Sequence, residues 1–280
     1  MGFLQKNQIR VNATRAFCEK LSGTPDPFAV ELAHIASPDA RIVWAIAGEA
    51  LHQAVSYAGV AQLVAALRAV LPGEQLLQLP APKEALIRKA MHSIAWTRDW
   101  VLEAHVYGIL ISIGEWGRRC GTSLSSHVQQ RDTAQLWREL GNIYFMGRTS
   151  VVKPKVLCAL HRLRMPEPLG LGITITDAPL RSGHPWPFPV SNGVRRWLKL
   201  LGPDPVRWME SHSEPDRLRY FQKMYAGIWP ANPQGVAHGL SFFLEPCGVL
   251  PLCIQVIEGC PNCPLGQMNP MGGQCPGRRV

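Results

Sequence analysis

Apolar residues recur at intervals of three and four along most of this chain. The segments "RIVWAIAGEALHQAV" (41–55) and "AQLVAALRAVL" (61–71) both carry that spacing, which lines one face of a helix with 3.6 residues per turn. Pro72-Gly73 reads as the stop of the second run. "PKEALIRKAMHSIAW" opens at Pro82, and "DWVLEAHVYGILISIGEW" carries the period on to Trp116. "TAQLWRELGNIYFM" follows a polar stretch rich in Ser and Gln, and "KPKVLCALHRL" opens with a proline in its first turn, a position that needs no amide donor. The texture then changes. "RMPEPLGLGITITDAPLRSGHPWPFPVSN" (164–192) is crowded with Pro and Gly and reads as loop and turn, with at most a short strand at "ITIT". Helical spacing resumes in "GVRRWLKLLG", which Gly202-Pro203 stops, and continues through "PDRLRYFQKMYAGIW" and "NPQGVAHGLSFFLE". The pattern predicts an all-α fold of about nine or ten short helices, one irregular crossover and a cysteine-bearing tail. There is no internal repeat and no low-complexity segment.

At 280 residues, 46% hydrophobic and 18% charged, the chain has enough apolar sequence for one large or two small domains and is not of the disordered class. No apolar run reaches the ~18 residues of a membrane span. The opening "MGFLQKNQIR" has no apolar run behind it, and Lys6 stands where an acylation motif requires Ser or Thr. A cytoplasmic protein is expected, nucleoid-associated if prokaryotic, without a membrane partner. The net charge of +9 is uneven: between Arg148 and Lys223 there are 13 Lys and Arg against 6 Asp and Glu. A basic stretch of that size suits a polyanionic partner, of which nucleic acid is the commonest. The nine Trp fall mostly on apolar helix faces and read as core.

Five of the eight cysteines lie between Cys247 and Cys275. In a reducing compartment clustered thiols ligate metal more often than they pair as disulfides. The spacing is Cys253, six residues, Cys260, two residues, Cys263, eleven residues, Cys275, with Cys247 in reserve. The C-x2-C pair sets two thiolates on one tight turn, and four thiolates suit tetrahedral zinc or an iron–sulfur cubane equally. Such a tail carries few large apolar side chains, so a bound metal is its source of order. Cys18, Cys120 and Cys158 stand alone in apolar or helical settings and read as small core residues.

"CIQVIEGCPNCPL" resembles the C-terminal iron–sulfur loop of the helix-hairpin-helix DNA glycosylases, in their endonuclease III and adenine-glycosylase branch. The six-then-two spacing and the following Pro-Leu carry the likeness, and a helix like "NPQGVAHGLSFFLEPCG" precedes the loop. The interval before Cys275 is longer than the five residues usual there, which leaves Cys275 and Cys247 both open as the fourth ligand. "PFPVSNGVRRWLKLLG" is similar to the segment in which these enzymes carry their catalytic Asp. Pro189, Val190, Val194 and Arg196 match, and Ser191 stands at the Asp position. A serine hydroxyl supplies neither the charge nor the base of a carboxylate.

The resemblance covers roughly 136–275 and implies a two-lobed helical fold. The lobes would be 1–135, with N-terminal helices returning to the C-terminal part, and a hairpin and catalytic-type region at 136–245. A [4Fe-4S] loop and tail would occupy 246–280, with zinc the alternative metal. The hairpin admits two registers. One places "PLGLGIT" on it, with the Gly170 and Gly172 amides free to approach a phosphate and Thr174 where lyase-type members keep a Lys. The other takes "VVKPKVLCAL" as the lysine helix, with Lys153 or Lys155 as the amine and Asp177 or Ser191 as its partner. Arg195, Arg196 and Lys199 would contact DNA. The expected activity is excision of a damaged or modified base from double-stranded DNA by a monomer, with strand cleavage if the Lys acts as a lyase. A glycosylase-like DNA-binding protein that has lost its chemistry, and a zinc-stapled helical interaction protein, are the alternatives.

Overall fold

The computed structural model describes residues 8–52, 55–78, 82–96, 101–121, 123–147, 153–176 and 203–241. Among them the chain is all-α, with thirteen helices and no strand. From the N-terminus these are α1 (Gln8–Leu21), α2 (Pro27–Ala33), α3 (Pro38–Leu51), α4 (Tyr57–Val70), α5 (Gly73–Gln78), α6 (Glu84–Ser93) and α7 (Glu103–Cys120). There follow α8 (Leu124–Gln129), α9 (Thr133–Leu140), α10 (Pro154–Arg164), α11 (Pro203–Ser211), α12 (Glu214–Ile228) and α13 (Pro233–Ser241). No described helix is long and apolar enough to cross a membrane.

Several helices begin where a side chain takes up one of their first amides. Asp26 accepts from Ala29 N at 2.8 Å ahead of α2, Ser37 from Ala40 N at 3.2 Å ahead of α3, and Ser56 from Gly59 N at 3.2 Å ahead of α4. Asp132 and Gln135 cap α9 reciprocally, satisfying two orphan donors at once. These caps correct the sequence reading at several ends. α3 starts at Pro38, in the first turn behind Ser37, and stops at Leu51 rather than Val55. The run 61–71 does stop ahead of Pro72-Gly73, with α4 ending at Val70, and a further short helix, α5, begins at once at Gly73; α11 begins at Pro203, where a proline in the first turn leaves no amide donor unused. The Ser- and Gln-rich stretch contains α8, capped by Ser123 through Ser126 N. α9 ends at Leu140 instead of running on to Met146, and Phe145 has φ +68°, outside helical space. "ITIT" is extended, with Ile173 and Ile175 buried and Thr174 and Thr176 exposed, but makes only an isolated bridge between Thr176 and Asp132.

The chain forms two compact units, Pro25–Trp186, and Met1–Thr24 together with Pro187–Val280. This division differs from the 135/136 boundary read from sequence, which falls inside α9. In the larger unit α3 is the hub. Every residue from Ile42 to Leu51 is buried, as expected of a helix enclosed on all sides, and α2, α4, α5, α7, α8 and α10 pack around it. Trp44, Ile46, Leu63, Ile109, Leu110, Leu136 and Leu160 fill the surrounding core. In the smaller unit α1 packs on α13, and α12 packs on both. Cys18 sits where Gly239 lets the two backbones approach, and its thiol donates to Val236 O at 3.8 Å. Burial, with Glu19 beside it, pushes that thiol up to about 12, so it remains a protonated core group. His238 is buried and donates from Nε2 to Thr24 O at 3.0 Å.

Candidate active site around Lys155

α10 opens at Pro154, with Lys153 as its N-cap in the left-handed region at φ +49°. From there Lys155, Cys158 and Arg162 follow at intervals of three and four, so they share one helix face. Arg162 is buried. Its Nη1 donates to Asp26 Oδ2 at 2.6 Å and to Leu169 O at 3.3 Å, and its Nε donates to Glu49 Oε1 at 3.1 Å. The guanidinium carbon lies 4.9 Å from the Tyr57 ring centroid and 5.2 Å from that of Phe28. Tyr57 donates its hydroxyl to Glu49 Oε2 at 3.1 Å. Burial, reinforced by Glu49, drives the Tyr57 phenol well above its ordinary range. His52 stacks on the same phenol ring at 4.0 Å between centroids.

Lys155 lies one and two turns ahead of Cys158 and Arg162. Its Nζ donates to Ala50 O at 2.5 Å, one residue beyond Glu49. Burial pushes the amine down to about 8, with Cys158 and Glu49 pulling the other way. At that value about a tenth of the amine is unprotonated at pH 7, which is the condition a nucleophilic lysine needs. Two buried carboxylates, Asp26 and Glu49, therefore share the Arg162 guanidinium, with the half-buried Lys155 amine next to the Glu49 side of the cluster. Asp26 works twice, since Oδ1 caps α2 while Oδ2 holds Arg162. Lys153 takes another course: its Nζ sits 4.4 Å above the Trp137 ring. Sequence alone treated the two lysines alike, and the fold separates them into a half-buried amine bonded to Ala50 O and an ammonium on an indole.

The hairpin register requires a correction. The Gly170 amide donates to Pro166 O at 3.1 Å and the Gly172 amide to Met165 O at 2.8 Å, with Leu171 N reaching Arg162 O at 3.1 Å. These amides are consumed in closing the end of α10, whose last carbonyls need donors, and are not free for a phosphate. Gly172 has φ +63°, and a Cβ on Gly170 would lie 2.2 Å from Arg162 O. Thr174, the lysine position of that register, is exposed in the extended stretch beyond. Asp177, Ser191, Arg195, Arg196, Lys199, Cys247, Cys253, Cys260, Cys263 and Cys275 all lie outside the described residues. Among the described residues no three His, Cys, Asp or Glu side chains form a group able to hold a metal.

A second polar cluster joins α7, α8 and α9. Glu139 accepts from Trp116 Nε1 at 3.2 Å, lies 2.8 Å from His127 Nε2 and pairs with Arg131, beside a cleft of about 280 Å³ that Cys120 and Asn142 also line. Burial, with Glu139 nearby, pushes the Cys120 thiol up to about 11, so it is no nucleophile.

Sequence reasoning passed over Asp26, Glu49, Tyr57 and Arg162. One signal was present: Glu49 is a solitary charge in the otherwise apolar run from Ile42 to Leu51, and a charge in such a run has to find a partner when it is buried. Nothing local pointed to Arg162 as that partner, 113 residues away. Compared with family models, with curated proteins and with solved structures, the chain finds no match.

Proposed function

We propose that this chain is a DNA N-glycosylase that turns a damaged or modified base out of the duplex and cleaves its N-glycosidic bond, with Lys155 as the attacking amine. The observation that carries the reading is the Cys253-x6-Cys260-x2-Cys263 spacing ahead of Pro264-Leu265. The geometry at Lys155 supports it, because a half-buried amine with a free-base fraction near neutral pH suits attack on the sugar C1′. The Nζ electron pair forms the new bond to C1′, and the C1′–N bond breaks with its pair going to the base, which takes up a proton. Nζ supplies the proton that the base takes up; the C1′–O4′ bond then breaks with its pair going to O4′, which takes a proton from water, as the Nζ pair forms the C1′=N bond of a protonated Schiff base on Lys155. Cys253, Cys260, Cys263 and either Cys275 or Cys247 would hold a [4Fe-4S] cluster, and the soft four-thiolate set suits one. Ser191 at the expected Asp position favours a second reading, a glycosylase-like DNA-binding protein without base excision.

The test pairs metal analysis with borohydride trapping on a panel of duplexes, each holding one modified base. The expected result is a brown protein with about four irons per chain and a covalent protein–DNA adduct that Lys153→Met retains and Lys155→Met loses. An iron-loaded protein that binds duplex but releases no base supports the second reading. A colourless zinc protein that ignores DNA overturns both.

A further inference from the structure

The Lys155 amine has two fixed neighbours. It donates to Ala50 O at 2.5 Å, in the last turn of α3, where carbonyls lack donors from their own helix. The second neighbour is the ring of Phe145, whose centroid lies 5.8 Å from Nζ. Phe145 belongs to the turn "GNIYFMG" (141–147) between α9 and α10. Its φ is +68°, a conformation that bulky residues avoid and that persists only where the surroundings impose it. Here they do so from both ends. Tyr144 donates its amide to Ser112 Oγ at 3.1 Å, and Met146 donates its amide to Ile143 O at 3.2 Å. The Ile143 and Met146 side chains are buried. The Phe145 ring packs on those of His105 and Tyr144, each at 4.7 Å between centroids. Leu102 in turn fixes His105 by donating its amide to Nδ1 at 3.2 Å.

We propose that Phe145 is a positioning residue for the Lys155 amine: its clamped ring keeps water from Nζ, while Ala50 O fixes where Nζ sits. The inference rests on the reading of Lys155 as the attacking amine and adds the residue that makes it one. Hydration stabilises an ammonium, so excluding water favours the free base, which alone carries the electron pair for attack. A cation–π contact works the other way, but 5.8 Å is close to the ~6 Å limit of such contacts, and burial is the larger influence on this amine. The charged and titratable groups around it offer no other cause. Glu49 from α3 and Cys158 from α10 both favour the ammonium. Arg162 is neutralised by Asp26 and Glu49, and Tyr57 of α4 bonds Glu49. Lys153 rests on the Trp137 ring, and His105 of α7 packs on Phe145. Exclusion of water is what remains, and the Phe145 ring is the apolar group placed to provide it.

The experiment labels the full-length protein with trace acetic anhydride between about pH 6 and 11 and reads Lys155 and Lys153 separately by peptide fragmentation. Wild type is compared with Phe145→Gly and Phe145→Leu. Glycine takes φ +68° without strain and removes the ring, whereas leucine keeps apolar bulk in its place. Lys155 in wild type is expected to label with a midpoint near pH 8. Phe145→Gly should raise that midpoint by about 1 or more, toward the ordinary value of about 10.4. Phe145→Leu should match wild type, and Lys153 should label alike in all three. The midpoint is the readout, because a more exposed amine also meets the reagent more often. A Phe145→Gly midpoint equal to wild type or below it overturns the role of Phe145, and so does a Phe145→Leu midpoint that rises as far as that of Phe145→Gly. A wild-type midpoint at the ordinary lysine value overturns both this role and the attacking-amine reading. That reading fails alone if no adduct is trapped by borohydride while the midpoints behave as expected, a result that still supports the shielding by Phe145. Far-UV circular dichroism checks that the three proteins fold alike.

Discussion

Replacing Arg162 by methionine removes one cation from a site that water does not reach. The Arg162, Asp26 and Glu49 side chains are 6%, 5% and 1% exposed. Methionine keeps most of the apolar stem and the volume, so the perturbation is chiefly electrostatic. It deletes two charge-assisted hydrogen bonds, to Asp26 Oδ2 and Glu49 Oε1, and the donation to Leu169 O. Hydrogen bonds to charged groups contribute about 1.5–3 kcal/mol each, and breaking a buried pair from one side costs about 3–5 kcal/mol because a charge is left uncompensated. With a urea m-value of about 2 kcal/mol per M, the midpoint falls by about 1.5–2.5 M. Urea titrations at pH 7, followed by far-UV circular dichroism, measure this directly. A second variant separates charge from packing. Adding Glu49→Gln and Asp26→Asn to Arg162→Met removes the orphaned charges, while Asn still caps α2 and Gln still accepts from Tyr57. Replacing every member of a buried ion cluster is often close to neutral, so the triple variant is expected to recover to within about 2 kcal/mol of wild type. An Arg162→Met protein within about 1 kcal/mol of wild type, or a triple variant no more stable than the single one, would refute the reasoning.

Two further outcomes follow from particular contacts. Burial holds Lys155 below the ordinary lysine value, at about 8. The unfolded chain therefore binds more protons than the folded one between that value and about 10.4, and the charged amine costs stability in full below pH 8. Lys155→Met should thus be more stable than wild type at pH 7, with an advantage that shrinks as pH rises from 8 through 10; a constant difference would place the amine in water. In the smaller unit, a methyl group on Gly239 would come 2.8 Å from Cys18 Cα and 3.0 Å from its Sγ. Gly239→Ala is expected to destabilise the α1–α13 pair by about 1–3 kcal/mol through overpacking, and to raise the reaction rate of the Cys18 thiol with a disulfide reagent. An unaltered thiol rate would mean that the α1–α13 pair takes up the methyl group without opening around Cys18.

How far the sequence carries depends on whether the controlling interaction is local. Helix content was legible because amphipathic spacing and caps are written within a few residues, as at Asp132 and Gln135. Lys153 and Lys155 could be picked out as candidate amines because the resemblance offers "VVKPKVLCAL" as a lysine-bearing helix, and both straddle Pro154 in a basic stretch. Helix ends such as Leu51 and Leu140, the start of α5 directly behind the stop at Pro72, and the engagement of the Gly170 and Gly172 amides were decided by the folded chain. In each case a carbonyl, amide or side chain found a partner that spacing does not reveal.

The candidate site divides in the same way. The sequence by itself determined that Glu49 is a charge in an apolar helix and that Lys155, Cys158 and Arg162 repeat on one face. Only the tertiary structure decided that Arg162 reaches across 136 residues to Asp26 and 113 to Glu49, and that the Lys155 amine bonds Ala50 O while Lys153 rests on an indole. A buried charge states a need for a partner, and three-dimensional packing selects which residue meets it.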